Sequence, residues 1–114
     1  MPMVHEIKIE PVVDKHKQRT GYRYVPQPPD PASGPTAARP GDQVFWRNDD
    51  TQAHWPGTTA QKTIFMPNQI APNSSSQAWV ADAPANPLTY KDTLDTSGSA
   101  PTGTIVVSST AGNV

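Results

Sequence analysis

His5, His16 and His54 supply every imidazole in this chain, and the chain has no cysteine. Imidazole is the side chain whose unperturbed pKa suits it to act as a base or metal ligand near neutral pH. Acid–base or metal chemistry must therefore start from one of these three residues. His5 stands in Val4-His5-Glu6-Ile7-Lys8-Ile9-Glu10, on the face of Ile7 and Ile9, and reads as a partly buried residue at a strand start. His16 sits between Lys15 and Lys17 in a charged turn, where adjacent positive charge disfavours its imidazolium form. His54 follows Asn48-Asp49-Asp50-Thr51, turn residues whose side chains bond their own backbone. A histidine just past a strand–turn unit suits a metal site or a polar cluster at a sheet end.

The missing thiol excludes disulfides, iron–sulfur clusters, thiolate zinc sites, a cysteine nucleophile and a blue-copper centre, which needs a Cys with two His. The chain carries no Gly-x-Ser-x-Gly, no His-Glu-x-x-His, no phosphate-cradling glycine loop and no repeat. Ser74-Ser75-Ser76 is a turn cluster, and His54 is the one plausible base for it. That is too little for nucleophilic catalysis, and an enzyme is not expected. Trp46 and Trp79 fall in strand-like segments and read as core. Trp55, beside a turn, is the candidate contact residue of a binding surface.

The stretch that positions His54 runs from Arg39 to Pro56. Pro40-Gly41-Asp42 reads as a tight turn, with Pro presetting φ and Gly accepting positive φ. Gln43-Val44-Phe45-Trp46-Arg47 reads as a strand, rich in β-branched and aromatic residues. Further strands are expected at 4–10, 21–25, 61–66, 76–80, 88–92 and 103–109, with a short edge segment at 36–39. Pro26 to Pro35 is a proline-rich connector, residues 82–87 a turn, residues 93–102 a loop and residues 110–114 a tail. With 114 residues, 34% hydrophobic content and 14 prolines, the chain fits one all-β domain over residues 1–114, a sandwich of about seven or eight short strands.

Pro40-Gly41-Asp42, the strand ending in an aromatic, the Asn48-Asp49 turn and His54 together resemble the cupredoxin pattern. The segment from Asn68 to Val80, and Leu88 to Asp92 followed by Gly103 to Val107, resemble its later strands. The resemblance spans roughly Thr36 to Ser108 and implies a Greek-key β-sandwich of cupredoxin type. It places the first copper-ligand histidine at His54. The ligand cysteine falls at Asp92, which shares a strand face with Leu88 and Tyr90, or at Thr93 if loop length is kept instead. The second histidine falls near Asp95 or Thr96, and the methionine near Pro101. One ligand of four remains, so the resemblance implies the scaffold without its electron-transfer centre.

The expectation is therefore a non-redox binding or accessory module with no cofactor. The alternative is a copper- or zinc-binding protein using His54 with Asp92 and Asp95, one imidazole and two carboxylates being compatible with Zn(II) or thiolate-free Cu(II). Against that, Asp92 can accept hydrogen bonds in its turn and His54 can be a satisfied polar residue beneath Trp55 and Pro56. Met66 reads as core filler rather than a ligand. A net charge of −1 argues against nucleic acid, and no apolar run is long enough for a membrane span. A protein partner is possible and not readable from the sequence. The resemblance implies a periplasmic or extracellular protein, although no signal peptide follows Met1-Pro2-Met3-Val4.

Overall fold

Alternation of apolar and polar residues builds the N-terminal strand, which buries Ile7 and Ile9 completely and turns Glu6, Lys8 and Glu10 away from them. A computed structural model describes residues 3–28, 30–32, 34–81 and 85–108. Among these there is no helix, and there are nine strands: β1 (Val4–Val13), β2 (Arg19–Pro26), β3 (Thr36–Ala38), β4 (Gln43–Asn48), β5 (Pro56–Gly57), β6 (Ser74–Ser75), β7 (Trp79–Val80), β8 (Ala85–Asp92) and β9 (Thr102–Val107). They form two sheets. The five-stranded sheet has the order β2-β1-β4-β6, with β7 also on β4, and the four-stranded sheet the order β3-β9-β8-β5. Both are mixed: β1 runs parallel to β4 and β3 parallel to β9, and the other pairs are antiparallel.

The sheets share one core. Ile7, Ile9, Val44 and Trp46 come from the first sheet, and Tyr90, Ile105 and Val107 from the second. Trp46 meets Tyr90 edge to face at 5.3 Å, and Phe65 lies 4.7 Å from Trp46 between ring centroids. Burying one such aromatic is worth roughly 4–6 kcal/mol of transfer free energy, so this cluster is the main adhesive between the layers. Met66 is buried in the same cluster, as core filler.

Several boundaries differ from the sequence reading. No strand forms at 61–66: that segment turns, with Ile64 N–H donating to the Gln61 carbonyl, while Phe65 and Met66 fill the core from the loop. Consecutive apolar residues without alternation are consistent with either state, and here packing rather than a ladder holds them. The strand expected at 76–80 is interrupted, leaving β6 and β7 as separate pairs on β4. β1 continues through Pro11 to Val13. Pro11 lies beyond the last β4 partner, where β2 alone borders the strand, so one side of it needs no donor. Pro56-Gly57 pairs with β8, and residues 85–87 are strand rather than turn. Residues 82–84 and the tail at 110–114 lie outside the described residues, as do parts of the proline-rich connector. Pro40-Gly41 forms the expected turn: Gly41 has φ 95°, and Asp42 N–H donates to the Arg39 carbonyl.

Candidate functional site

The turn after β4 is built by Asn48, which is completely buried. Its Oδ1 accepts from the Asp50 N–H at 2.9 Å, and its Nδ2 donates to the carbonyls of Gln52, Ile70 and Ala71. One amide thereby satisfies four backbone groups and fixes the course of residues 49–53. His54 then pairs with Ile70 through both backbone bonds, His54 N–H to Ile70 O and Ile70 N–H to His54 O. This clamp aims the imidazole between the sheets.

There the ring of His54, 1% exposed, meets a carboxylate at each nitrogen. Nδ1 lies 2.6 Å from Asp92 Oδ2, and Nε2 lies 2.7 Å from Asp50 Oδ2. Two ionised carboxylates are acceptors, so the ring completes both bonds by carrying both protons. Burial opposes the charged ring, but the bonds to Asp92 and Asp50 outweigh it and raise the His54 pKa above its ordinary value.

Each carboxylate is further engaged. Asp50, fully buried, accepts from Arg19 Nε at 2.7 Å and Arg19 Nη2 at 2.5 Å, and from the Thr51 N–H. Burial pushes its pKa up, yet Arg19, His54 and the Thr51 N–H pull it down to about 2. Asp92 ends β8 on the face of Leu88 and Tyr90. Its Oδ1 accepts from the N–H groups of Trp55 and Leu94. Burial again raises, and His54 with those two N–H groups lowers, for a net pKa below the usual carboxylate range. Arg19, Asp50, His54 and Asp92 thus form one unbroken chain of side-chain contacts, Arg19 to Asp50, Asp50 to His54 and His54 to Asp92. Tyr22 packs on the cluster, its ring 4.3 Å from that of His54, and an open cleft of about 630 Å³ is lined by His54 and Asp92 themselves together with Arg19, Tyr22, Leu94 and Asp95.

The structure thus brings His54 and Asp92 together, at the sheet end where the sequence reading placed them. Asp95 is not bonded to His54. Its Oδ2 accepts from the Tyr22 hydroxyl at 2.7 Å and its Oδ1 from the Ser97 N–H. Thr93 Oγ1 donates to the Trp55 carbonyl. Trp55 is half-buried, with Nε1 donating to the Met66 carbonyl and the Lys62 ammonium 4.3 Å from its ring centroid. The hydroxyls of Ser74 and Ser76 donate to the carbonyls of Pro72 and Gln77, and none of the serine bonds reaches His54. At the other end of β1, His5 Nε2 lies 2.9 Å from Asp42 Oδ2.

Sequence reasoning missed Asp50 as a partner of His54, and Arg19 as the partner of Asp50. The Asp50–His54 spacing of four residues was visible, but Asp50 reads as one more turn residue. Arg19 is 31 residues away in sequence, and nothing local marks it.

Both His54 nitrogens are engaged by carboxylates, Nδ1 by Asp92 and Nε2 by Asp50. Among the described residues no group of three or more His, Cys, Asp or Glu side chains is arranged to hold a metal ion. No protein-family model matches the chain, and no curated protein matches it either.

Proposed function

We propose that this chain is a cupredoxin-like Greek-key sandwich whose copper position is closed by an ion-pair plug, and that it serves as a non-redox binding or accessory module. The observation that carries the reading is the double engagement of His54. The residue at the first-ligand position spends both ring nitrogens on carboxylates, one of them Asp92, at the position the resemblance gives to the cysteine. The all-β, two-sheet architecture supports the scaffold part of the reading. The same engagement speaks against catalysis, because a ring protonated on both nitrogens has no lone pair with which to act as a base. The resemblance also points to a periplasmic or extracellular setting with a protein partner.

The rival reading uses His54 with Asp92 and Asp95 to hold copper or zinc. It requires His54 to lose a proton and Asp95 to leave Tyr22. Adding one equivalent of Cu(II) or Zn(II) at pH 7 and following heat release and the visible spectrum separates the two. The plug predicts no stoichiometric binding at His54 and no intense visible band. One-to-one binding abolished by His54→Ala would establish the rival.

A further inference from the structure

The open cleft of about 630 Å³ beside the plug carries polar groups that the plug does not use. Arg19 gives Nε and Nη2 to Asp50, which leaves Nη1 without a partner among the described residues, on a side chain 26% exposed. Asp95 is half-buried and accepts from the Tyr22 hydroxyl and the Ser97 N–H. A carboxylate offers about four lone-pair sites, so these bonds leave room for more. Gln52 and Thr96 also line the cleft. Both are exposed, and their side chains have no hydrogen-bond partner among the described residues. The same walls carry apolar surface: Leu94 is 39% exposed, and the ring of Tyr22 is half-buried.

Charge narrows the ligand. An anion would have to compete with Asp50 for Arg19 and would approach Asp95, which has no ion pair among the described residues. The other lining charges, His54 and Asp92, are spent on each other. A ligand that hydrogen-bonds without carrying charge needs no counter-ion and can use donors and acceptors alike. Sugars place hydroxyls, each a donor and an acceptor, around rings whose C–H faces are apolar. That is the mixture these walls present, in a cleft within the usual size range for a small-molecule site.

We propose that this cleft binds a neutral disaccharide, its hydroxyls bonded to Asp95, Gln52, Thr96 and the free Nη1 of Arg19, and a C–H face laid on Leu94 and Tyr22. Tyr22 ties Asp95 in place beforehand, which leaves less to be ordered on binding. The inference rests on the binding-module reading and deepens it: the plug closes the interior, and the cleft outside it meets the ligand.

The test is a titration of the isotope-labelled protein with maltose, cellobiose and lactose in turn, each up to about 50 mM, read from backbone amide shifts. Saturable shifts are expected at Gln52, Leu94, Asp95 and Thr96, with dissociation constants of about 1–10 mM for an open cleft offering a few hydrogen bonds. Gln52→Ala and Thr96→Ala change exposed side chains outside the plug. Each should weaken binding roughly 3- to 10-fold, the worth of one hydrogen bond, and leave the thermal midpoint unchanged. The absence of saturable shifts with all three sugars would overturn the proposal. So would affinities that ignore both substitutions, or putrescine binding more tightly than any of the sugars, which would make Asp95 a cation site. The His54 ring spectrum of the same samples keeps the two readings apart. No sugar binding beside an imidazolium ring removes this inference alone, whereas a neutral ring removes the plug whatever the sugars do.

Discussion

Replacing Asp50 with Asn changes almost no volume and removes one charge from the centre of the plug. The carboxylate lost is fully buried and accepts from Arg19, His54 and the Thr51 N–H. The amide that replaces it must present two N–H donors to a site surrounded by donors. Breaking a buried ion pair by removing one partner costs about 3–5 kcal/mol. The lower end applies here for two reasons. Arg19 has a side chain 26% exposed and can turn its guanidinium toward water, and His54 keeps Asp92. Against a stability of about 6–17 kcal/mol for a domain of this length, a loss near 3 kcal/mol is severe. It should lower the thermal midpoint by about 12 °C and the urea midpoint by about 1.5 M at a slope of about 2 kcal/mol per M. Urea unfolding followed by the fluorescence of buried Trp46 measures it. Asp49→Asn is the matched control from the same turn. Its partner Arg47 is 43% exposed, Asp49 itself 36%, and such a pair is worth under about 1 kcal/mol. If the two variants lose the same small amount, the cluster is not an ion-pair plug and the reasoning fails.

The pH dependence has a definite shape. Because His54 has a raised folded pKa, its contribution is complete below the unfolded value of about 6.5 and disappears as pH rises through the folded value. Asp50 and Asp92 are depressed, so theirs is complete above about pH 4 and disappears as pH falls through the folded values, about 2 for Asp50. Stability measured by urea unfolding should therefore peak between about pH 4 and 6.5, and a maximum at pH 8 or above would contradict the assignment. Gly103→Ala should destabilise by at least about 2 kcal/mol, since its Cβ would overlap the Tyr90 phenol in a packed core, and a thermal midpoint within a degree or two of the native value would show that Tyr90 does not lie over Gly103.

Local chemistry was the part of this structure that could be read from the sequence. The Pro40-Gly41 turn, the β1 and β4 alternation, and the inward face of Leu88, Tyr90 and Asp92 each follow from short-range rules, and each is present. The meeting of His54 with Asp92 was also legible, but through the resemblance to a known pattern and not through spacing. What was not legible depends on distant chain segments. Arg19 reaches Asp50 only because β1 and β2 pair in a register that carries the start of β2 to the β4 turn. The loop at 61–66 looked like a strand because Ile64, Phe65 and Met66 are apolar. Burial rather than pairing explains them, and a single sequence does not separate the two. Asp95 drew attention as a ligand position, and its actual partner, the Tyr22 hydroxyl, lies 73 residues away.

The ion-pair plug requires His54 to be a doubly protonated ring held between Asp50 and Asp92. The direct measurement is the ring nitrogen spectrum of His54 as a function of pH in the isotope-labelled protein. Imidazolium shifts are expected for both nitrogens at pH 7, with both ring protons visible and slow to exchange and a midpoint above the ordinary histidine value of about 6.5. A neutral ring at pH 7, with one nitrogen unprotonated and a midpoint at or below that value, would contradict it and reopen His54 as a metal ligand.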